Sequence, residues 1–344
     1  WLCGVAVRPY IEFLTNYCYI MTDFIGLSGN DIKEKLEQET TKAKVEDTEQ
    51  EVPSPGEIKG TGAVEFDDSI ETSNKVETPR HTIQVNLTDK KSPIVFLFGA
   101  KSGGKTMTLV RLAKYLRPLG YKLMVDSNFC NIWEYKENRT KFNKMLDTEF
   151  AMKGTNYNDF LLIKVLDSNG NTVCQILEGA GEDYFPLKVE GVSRSQIAFP
   201  KYMSTLFASP NKKIWMFLTE PYWEEDRSEY VNRIEYCVKN YFGSRDKCII
   251  IYNKVDMTPF AIGDKINTKA AMNQCNNEYP LLFSMFPNHS PLPGFLISPY
   301  SCKFVPFSTG TYSDAPKNAD IPYTPSKEKY PHLLWETINK CIKG

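Results

Sequence analysis

The sequence predicts an α/β fold, a three-layer sandwich whose mostly parallel sheet has one antiparallel edge strand and an N-terminal appendage. Short apolar runs rich in β-branched residues, such as Ile94–Phe98 and Cys248–Tyr252, are typical of buried strands, and they alternate with stretches of helical periodicity. The 344 residues are also 42% hydrophobic and 13% aromatic, which is enough to bury a sizeable core.

The predicted elements follow in the order of an alternating chain. A hairpin is predicted where Phe160–Leu166 and Thr172–Leu177 flank the turn sequence Asp-Ser-Asn-Gly-Asn, and it supplies the antiparallel edge. The other elements are helix Lys105–Leu116, helix Ser195–Phe207, strand Lys213–Leu218, helix Arg227–Tyr241, helix Thr268–Phe286, strand Gly294–Tyr300 and helix Tyr330–Ile342.

Acidic composition marks a boundary within the chain. Residues 31–80 hold 14 Asp/Glu against 7 Lys/Arg and almost no aromatic residues. Such a segment buries too little apolar area to offset the entropy of ordering it. We therefore expect 31–91 to be an acidic mobile linker that precedes a folded domain at 92–344.

Residues 1–30 are apolar and rich in aromatic residues. Arg8, Glu12 and Asp23 interrupt them, so they contain no run of about 20 apolar residues that would suit a membrane helix. We expect a short packed helix or hairpin. The alternatives are an interfacial membrane anchor through residues 1–27 and a tail of a larger upstream domain.

The most informative stretch begins where strand Ile94–Phe98 enters Gly99-Ala-Lys-Ser-Gly-Gly-Lys-Thr106, a complete GxxxxGK(S/T) loop. Such a loop turns backbone N–H groups inward at a helix N-terminus, where Lys105 can reach phosphate oxygens and Thr106 can bind Mg²⁺. An ordinary Gly-rich turn is the alternative. We predict a nucleoside-triphosphate site of the P-loop type, to which the other loop residues contribute: Gly99, Lys101, Ser102, Gly103 and Gly104.

A second motif indicates the base. Strand Cys248–Tyr252 ends in Asn253-Lys-Val-Asp256, an NKxD sequence at the carboxyl edge of a predicted sheet. The Asp256 carboxylate can accept hydrogen bonds from guanine N1 and N2, whereas adenine has no donor there. Asn253 would brace the nucleotide loops and the Lys254 stem would cover the base. A solvated turn is the alternative for the motif alone.

With these motifs in this order, residues 92–344 resemble the P-loop GTPases of the Ras-like, translation-factor-related class. The sequence Glu178-Gly-Ala-Gly181-Glu182 follows the hairpin and is similar to the DxxG switch motif of that family. The resemblance implies a P-loop NTPase sandwich in which the Gly181 N–H contacts the γ-phosphate and residue 178 holds the Mg²⁺ shell. Glu178 replaces the usual Asp, and its extra methylene still permits contact through water.

Two further family elements are weaker. The loop before the hairpin should contain a threonine that closes on Mg²⁺, and the resemblance favours Thr155, with Thr140 and Thr148 as competitors. After the predicted strand Gly294–Tyr300, the sequence Ser301-Cys302-Lys303 resembles the SAK element whose backbone contacts guanine O6.

The resemblance also bears on hydrolysis, for which it implies Lys105, Gly181 and Glu182 as the catalytic set. In Ras-like relatives a Gln follows the switch glycine and orients the attacking water. Glu182 stands in its place and adds negative charge near the γ-phosphate, so we expect slow hydrolysis. Lys101 and Arg194 are alternative sources of a compensating positive charge.

These observations predict a guanine-nucleotide-binding protein that hydrolyses GTP to GDP with Mg²⁺ and acts as a conformational switch. The alternatives are a non-hydrolysing nucleotide-binding scaffold, which Glu178 and Glu182 favour, and a P-loop ATPase or kinase, for which the NKxD motif has no use. Two long stretches, 118–158 with the first switch and 287–325, are expected to be loops that recognise a protein partner.

Charge and cysteine content restrict the setting. The net charge is −1 and no basic stripe with interleaved aromatics occurs, so nothing indicates nucleic-acid binding. The 9 cysteines show neither CxxC nor His-bearing metal spacing. We expect buried free thiols in a reducing compartment and a cytoplasmic location.

Overall fold

The structure, a computed structural model, describes residues 82–147, 150–151, 160–188, 190–223, 226–262, 265–289, 298–312 and 321–344. The strands are β1 (Ile94–Phe98), β2 (Lys122–Val125), β3 (Phe150–Ala151), β4 (Phe160–Leu166), β5 (Thr172–Gly179), β6 (Lys213–Thr219), β7 (Lys247–Tyr252), β8 (Ala261–Ile262), β9 (Lys265–Ile266), β10 (Lys303–Pro306), β11 (Gly310–Tyr312) and β12 (Ile321–Pro325). The α-helices are α1 (Lys105–Leu116), α2 (Trp133–Asp147), α3 (Gly181–Tyr184), α4 (Lys201–Phe207), α5 (Arg227–Tyr241), α6 (Thr268–Glu278) and α7 (Lys329–Lys343).

The central sheet has seven strands in the order β10-β7-β6-β1-β5-β4-β2. β10, β7, β6, β1 and β5 pair in parallel, whereas β4 is antiparallel to both of its neighbours, β5 and β2. This arrangement confirms the predicted α/β layout with a mostly parallel sheet. The carboxyl ends of the parallel strands meet at one edge, where such sheets bind their ligands.

Both faces of the sheet are covered. Every residue of β1 and β6 is buried, as expected for central parallel strands. On one face Phe96 stacks on Trp215 with ring centroids 4.7 Å apart, and Phe207 of α4 packs edge-on against Phe96 at 5.1 Å. Such aromatic pairs add specific geometry to the burial of apolar area, which is the main stabilising contribution of this core.

The hairpin is confirmed, but its place in the sheet differs from the prediction. Strand β4 is second from the edge, and the edge strand is β2, which lies within the stretch 118–158 that we expected to be a loop. That stretch also contains α2, in which Tyr135 and Phe142 are buried. Its helical periodicity is weak because polar residues outnumber apolar ones, and this hid the element.

Two predicted helices are shorter than expected, for the same reason. The helix predicted at Ser195–Phe207 begins only at Lys201, after Pro200, and the helix predicted at Thr268–Phe286 ends at Glu278, before Pro280. A proline ring disfavours helical geometry in the residue before it and removes a backbone donor.

The last strand of the sheet is also displaced from its predicted position. β10 is Lys303–Pro306, whereas the prediction placed this strand at Gly294–Tyr300. Most of the predicted range lies outside the described residues, and Tyr300 forms only an isolated bridge with Pro287. Pro306 at the end of β10 argues against a strand in the centre of a sheet, because proline cannot donate a backbone hydrogen bond. It is tolerated here because β10 is an edge strand.

The folded domain begins before residue 92. Ile83 and Leu87 are buried in the core and the Asn86 N–H donates to the Phe129 carbonyl at 2.7 Å, so the end of the range 31–91 is not linker. The alternating apolar residues of this stretch were the signal for an extended segment. The expectations for 1–30 and for the rest of 31–91 lie outside the described residues.

The prediction of buried free thiols is confirmed for the part of the chain that is described. Seven cysteines there are free, and all seven are buried. None of the helices described combines the length and apolar character needed to cross a membrane.

Candidate functional site

The GxxxxGK(S/T) segment at residues 99–106, which we call the phosphate loop, joins β1 to the first turn of α1 through a tightly curled backbone. Gly104 has a φ of 84° and Ser102 a φ of 60°, and glycine adopts this left-handed conformation most readily. A Cβ at Gly104 would also lie 2.5 Å from the Asn253 Nδ2 atom. The loop leads into the N-terminus of α1. The partial positive charge of that terminus faces the position expected for an anion.

Lys105 is the first residue of α1, and its side chain turns back onto the loop. It is buried, and its Nζ donates to the Ala100 carbonyl at 2.9 Å. Burial lowers the pKa of Lys105, and the carboxylates of Glu178, Glu182, Asp183 and Glu220 act in the opposite direction. A buried ammonium beside the loop carbonyls is well placed to bind an entering phosphate.

Thr106 and Glu178 meet at the start of α1. The Thr106 hydroxyl donates to the Glu178 Oε1 atom at 2.5 Å, and Glu178 is buried near the end of β5. Within the described ranges no group of three or more His, Cys, Asp or Glu side chains forms a metal site. Mg²⁺ is usually held by one or two protein oxygens with phosphates and water, so this hydroxyl–carboxylate pair fits that ion.

The segment after β5 lies directly on the phosphate loop. A Cβ at Gly181 would be 2.2 Å from the Lys101 nitrogen and 2.6 Å from the Ala100 carbonyl carbon, so only glycine permits this approach. The next residue, Glu182, has a side chain only 5% exposed, and its Oε1 lies 2.9 Å from Lys101 Nζ. Burial is the largest single influence and would raise the pKa of Glu182, but Lys101, a backbone hydrogen bond and Lys105 together outweigh it, and the pKa is lowered.

The NKxD segment at residues 253–256, which we call the base loop, is hydrogen-bonded to the phosphate loop. Asn253 follows β7 and is buried, and its Nδ2 donates to the Gly103 carbonyl at 3.0 Å. This contact spans 150 residues of sequence and brings the GxxxxGK(S/T) and NKxD motifs together at one edge of the sheet. The bracing role predicted for Asn253 matches this bond.

Lys254 and Asp256 have different surroundings. Lys254 has a φ of 55° and forms an ion pair with Glu220, which follows β6. Tyr279 fixes Glu220 in turn, since the tyrosine hydroxyl donates to the Glu220 carbonyl at 2.8 Å and accepts from its N–H at 3.1 Å. Asp256 is exposed at the surface of the base loop, where its carboxylate is accessible to a ligand.

The structure places Ser301 and Cys302 away from this site. Both precede β10, which is parallel to β7, so they lie at the amino end of the strand and not at the edge that carries Asn253. The carboxyl end of β10 leads instead to Ser308 and Thr309, which are buried and which sequence analysis missed. The backbone joins the two loops there, because the Val255 N–H donates to the Phe307 carbonyl at 3.0 Å.

A hairpin of β11 and β12 supports the segment after β10. The Tyr323 hydroxyl donates to the Thr309 carbonyl, and Tyr312, which is 46% exposed, has its hydroxyl 3.2 Å from Thr309 Oγ1. Partial burial raises the pKa of Tyr312, and the Asp256 carboxylate adds to the rise. The stretch 287–325, expected to be a loop, thus contains strands that shape the base side of the site.

Of the remaining candidates, Arg194 and Thr140 lie in the described residues, and neither is assembled at the site. Arg194 is buried, with its Nε 2.6 Å from Glu229 Oε2 and its guanidinium 4.3 Å from the Phe185 ring centroid, so it anchors α5 and is not poised as a cis arginine. Thr140 lies in α2, not in a loop. Thr148 and Thr155 lie outside the described residues.

A small cleft opens between the phosphate loop and the end of β6. Its lining includes Ala100 and Gly103 on one side and Glu220, Trp223 and Tyr279 on the other. Gly103 has no side chain to fill the cleft. The rings of Trp223 and Tyr279 form its apolar wall.

Comparisons with known proteins give little beyond this geometry. No family model matches the sequence, and no curated protein matches it. One solved structure that aligns with the chain is Roco2 RocCORdC from Methanosarcina barkeri bound to GDP, with 13% identity and a TM-score of 0.24. The alignment covers 66% of this chain and 46% of that one. The fold class therefore rests on the strand order described above.

Proposed function

We propose that this protein binds guanine nucleotides, hydrolyses GTP slowly with Mg²⁺ and changes conformation with the state of the nucleotide. The observation that carries the proposal is the bond between the Asn253 side chain and the Gly103 carbonyl. It brings a phosphate-binding motif and a guanine-reading motif, distant in sequence, to the same edge of the sheet. An ATPase or kinase would need the first motif but not the second.

Each part of the site has a role in this proposal. Lys105 and the backbone of Gly99, Ser102, Gly103 and Gly104 would hold the phosphates, with Asp256 accepting hydrogen bonds from guanine. Thr106 and Glu178 would hold Mg²⁺, which neutralises phosphate charge when bound. We further propose that Thr155 completes the metal shell in the triphosphate state.

Hydrolysis depends on charge neutralisation and on one oriented water molecule. The buried Glu182 carboxylate can accept a hydrogen bond from that water, but its negative charge opposes the approach of the γ-phosphate. This is why the proposed turnover is slow. Glu182→Gln removes the repulsion and should quicken phosphate release, whereas Glu182→Ala should bind GTP and remain slow.

The conformational change follows from Gly181. Since only a triphosphate offers a γ-phosphate to the Gly181 N–H, only GTP can shift the population of the segment at 179–188. Hydrogen exchange should show greater protection there with a non-hydrolysable GTP analogue than with GDP, and single-turnover phosphate release should be Mg²⁺-dependent. Equal protection in both states would contradict the switch.

The second candidate is a nucleotide-binding scaffold that does not hydrolyse GTP. The ion pair between Lys101 and Glu182 favours it, because a carboxylate held by an ammonium is less free to orient water. Binding of GTP without phosphate release in either the parent protein or the Glu182→Gln variant would select this candidate.

A further inference from the structure

The Lys101–Glu182 pair joins the two segments that would surround a γ-phosphate. Lys101 is the third residue of the phosphate loop, and Glu182 directly follows Gly181, the switch glycine that touches the loop backbone. The ion pair therefore links the phosphate loop to the segment that we propose to respond to the γ-phosphate.

The two partners differ in how they are held. The Glu182 side chain is 5% exposed, whereas that of Lys101 is 59% exposed. The carboxylate is thus fixed in the protein, while the ammonium is on a flexible stem that solvent reaches. Lys101 also has three N–H donors, so it can turn toward a second anion at a small cost.

Glu182 also lies within electrostatic reach of Lys105. The carboxylates near Lys105 include Glu182, and the pKa of Glu182 is affected by both lysines. One protein carboxylate therefore interacts with two cations of the phosphate loop. A phosphate group would have to interact with the same two cations.

We infer that Lys101 is the residue that distinguishes a nucleoside triphosphate from a diphosphate. The Glu182 carboxylate pairs with the Lys101 ammonium until a γ-phosphate replaces that carboxylate. This inference rests on the proposed function and names a specificity determinant within the same site. The γ-phosphate competes with Glu182 for the Lys101 ammonium. Its arrival frees the Glu182 carboxylate from Lys101, while the Gly181 N–H gains the γ-phosphate as its acceptor.

The competition has a measurable sign. Lys101→Met should weaken a non-hydrolysable GTP analogue by about tenfold, the effect of losing a hydrogen bond to a charged group, and should leave GDP within about twofold. Lys101→Arg should retain the preference, because it keeps the charge. The ratio of the two dissociation constants is the decisive readout, since general damage to the fold would weaken both nucleotides alike.

Glu182→Gln should tighten the analogue by about two- to fivefold by freeing Lys101 and removing negative charge. In the Lys101→Met background the gain should be smaller, because only the second contribution remains. The matched control is the exposed Lys239–Glu235 pair of α5, at 2.7 Å, in which Lys239→Met and Glu235→Gln should leave both affinities unchanged.

The experiment is a calorimetric titration of the whole chain and of each variant with GDP and with the analogue, in Mg²⁺. An unchanged ratio in Lys101→Met, or an equal gain from Glu182→Gln in both backgrounds, would overturn this inference while leaving guanine-nucleotide binding intact. A parent protein that binds neither nucleotide would overturn the proposed function and this inference together.

Discussion

At the residue scale, two buried lysines with similar contacts have different roles, one in ligand binding and one in structure. Lys105 lies in the phosphate loop and donates to the Ala100 carbonyl, whereas Lys213 lies at the amino end of β6 and donates to the Ser209 and Asn211 carbonyls at 2.8 and 3.0 Å. Both side chains are buried and both satisfy backbone oxygens. Only Lys105 lies at the sheet edge that we assign to the nucleotide.

This difference gives the first prediction. Lys105→Met should abolish the increase in melting temperature that GTP produces, because the phosphate ligand is lost. Lys213→Met, the matched control, should lower the melting temperature by leaving carbonyls unpaired but should keep the GTP-dependent increase. A GTP-dependent increase of normal size in Lys105→Met would contradict the phosphate-loop assignment.

The second prediction concerns the base. Asp256→Asn should weaken GTP by about 1–3 kcal/mol and reduce the preference for GTP over ATP, since the carboxylate that pairs with guanine N1 and N2 is lost. Asp167→Asn, on the exposed β4–β5 turn, is the control and should change neither affinity. Competition binding measures both. A preference that survives Asp256→Asn would remove the guanine-reading role of this carboxylate.

At the element scale, the short helix α3 depends on its first residue. Gly181→Ala forces a Cβ against the Lys101 backbone, so α3 must move away from the phosphate loop. We expect a loss of stability of about 1–3 kcal/mol and weaker binding of the GTP analogue than of GDP. Gly243→Ala is the control, because its Cβ would have no neighbour closer than 3.5 Å. Denaturant unfolding and titration test the pair, and a variant that binds the analogue normally would show that α3 need not touch the loop.

The same scale shows what the sequence could predict. The phosphate loop, the β4–β5 hairpin and the NKxD strand have strong local signals, namely glycines at fixed spacing, an Asn-Gly turn and a β-branched run. β10 and the contacts of Ser308 and Thr309 have none, because β10 is short, ends in proline and is defined by pairing with a distant strand. Glu220 was missed for a related reason, since its contact with Lys254 exists only in the folded chain.

At the scale of the whole molecule, we propose that one edge of the sheet recognises both the phosphates and the base of a guanine nucleotide. The direct measurement is equilibrium binding of GTP, GDP and ATP to the full chain, each with Mg²⁺ and with a chelator. We predict that GTP and GDP bind, that ATP binds at least about a hundredfold more weakly, and that only GTP loses affinity strongly when Mg²⁺ is removed. Equal binding of ATP and GTP, or binding of neither, would contradict guanine-nucleotide recognition at this edge.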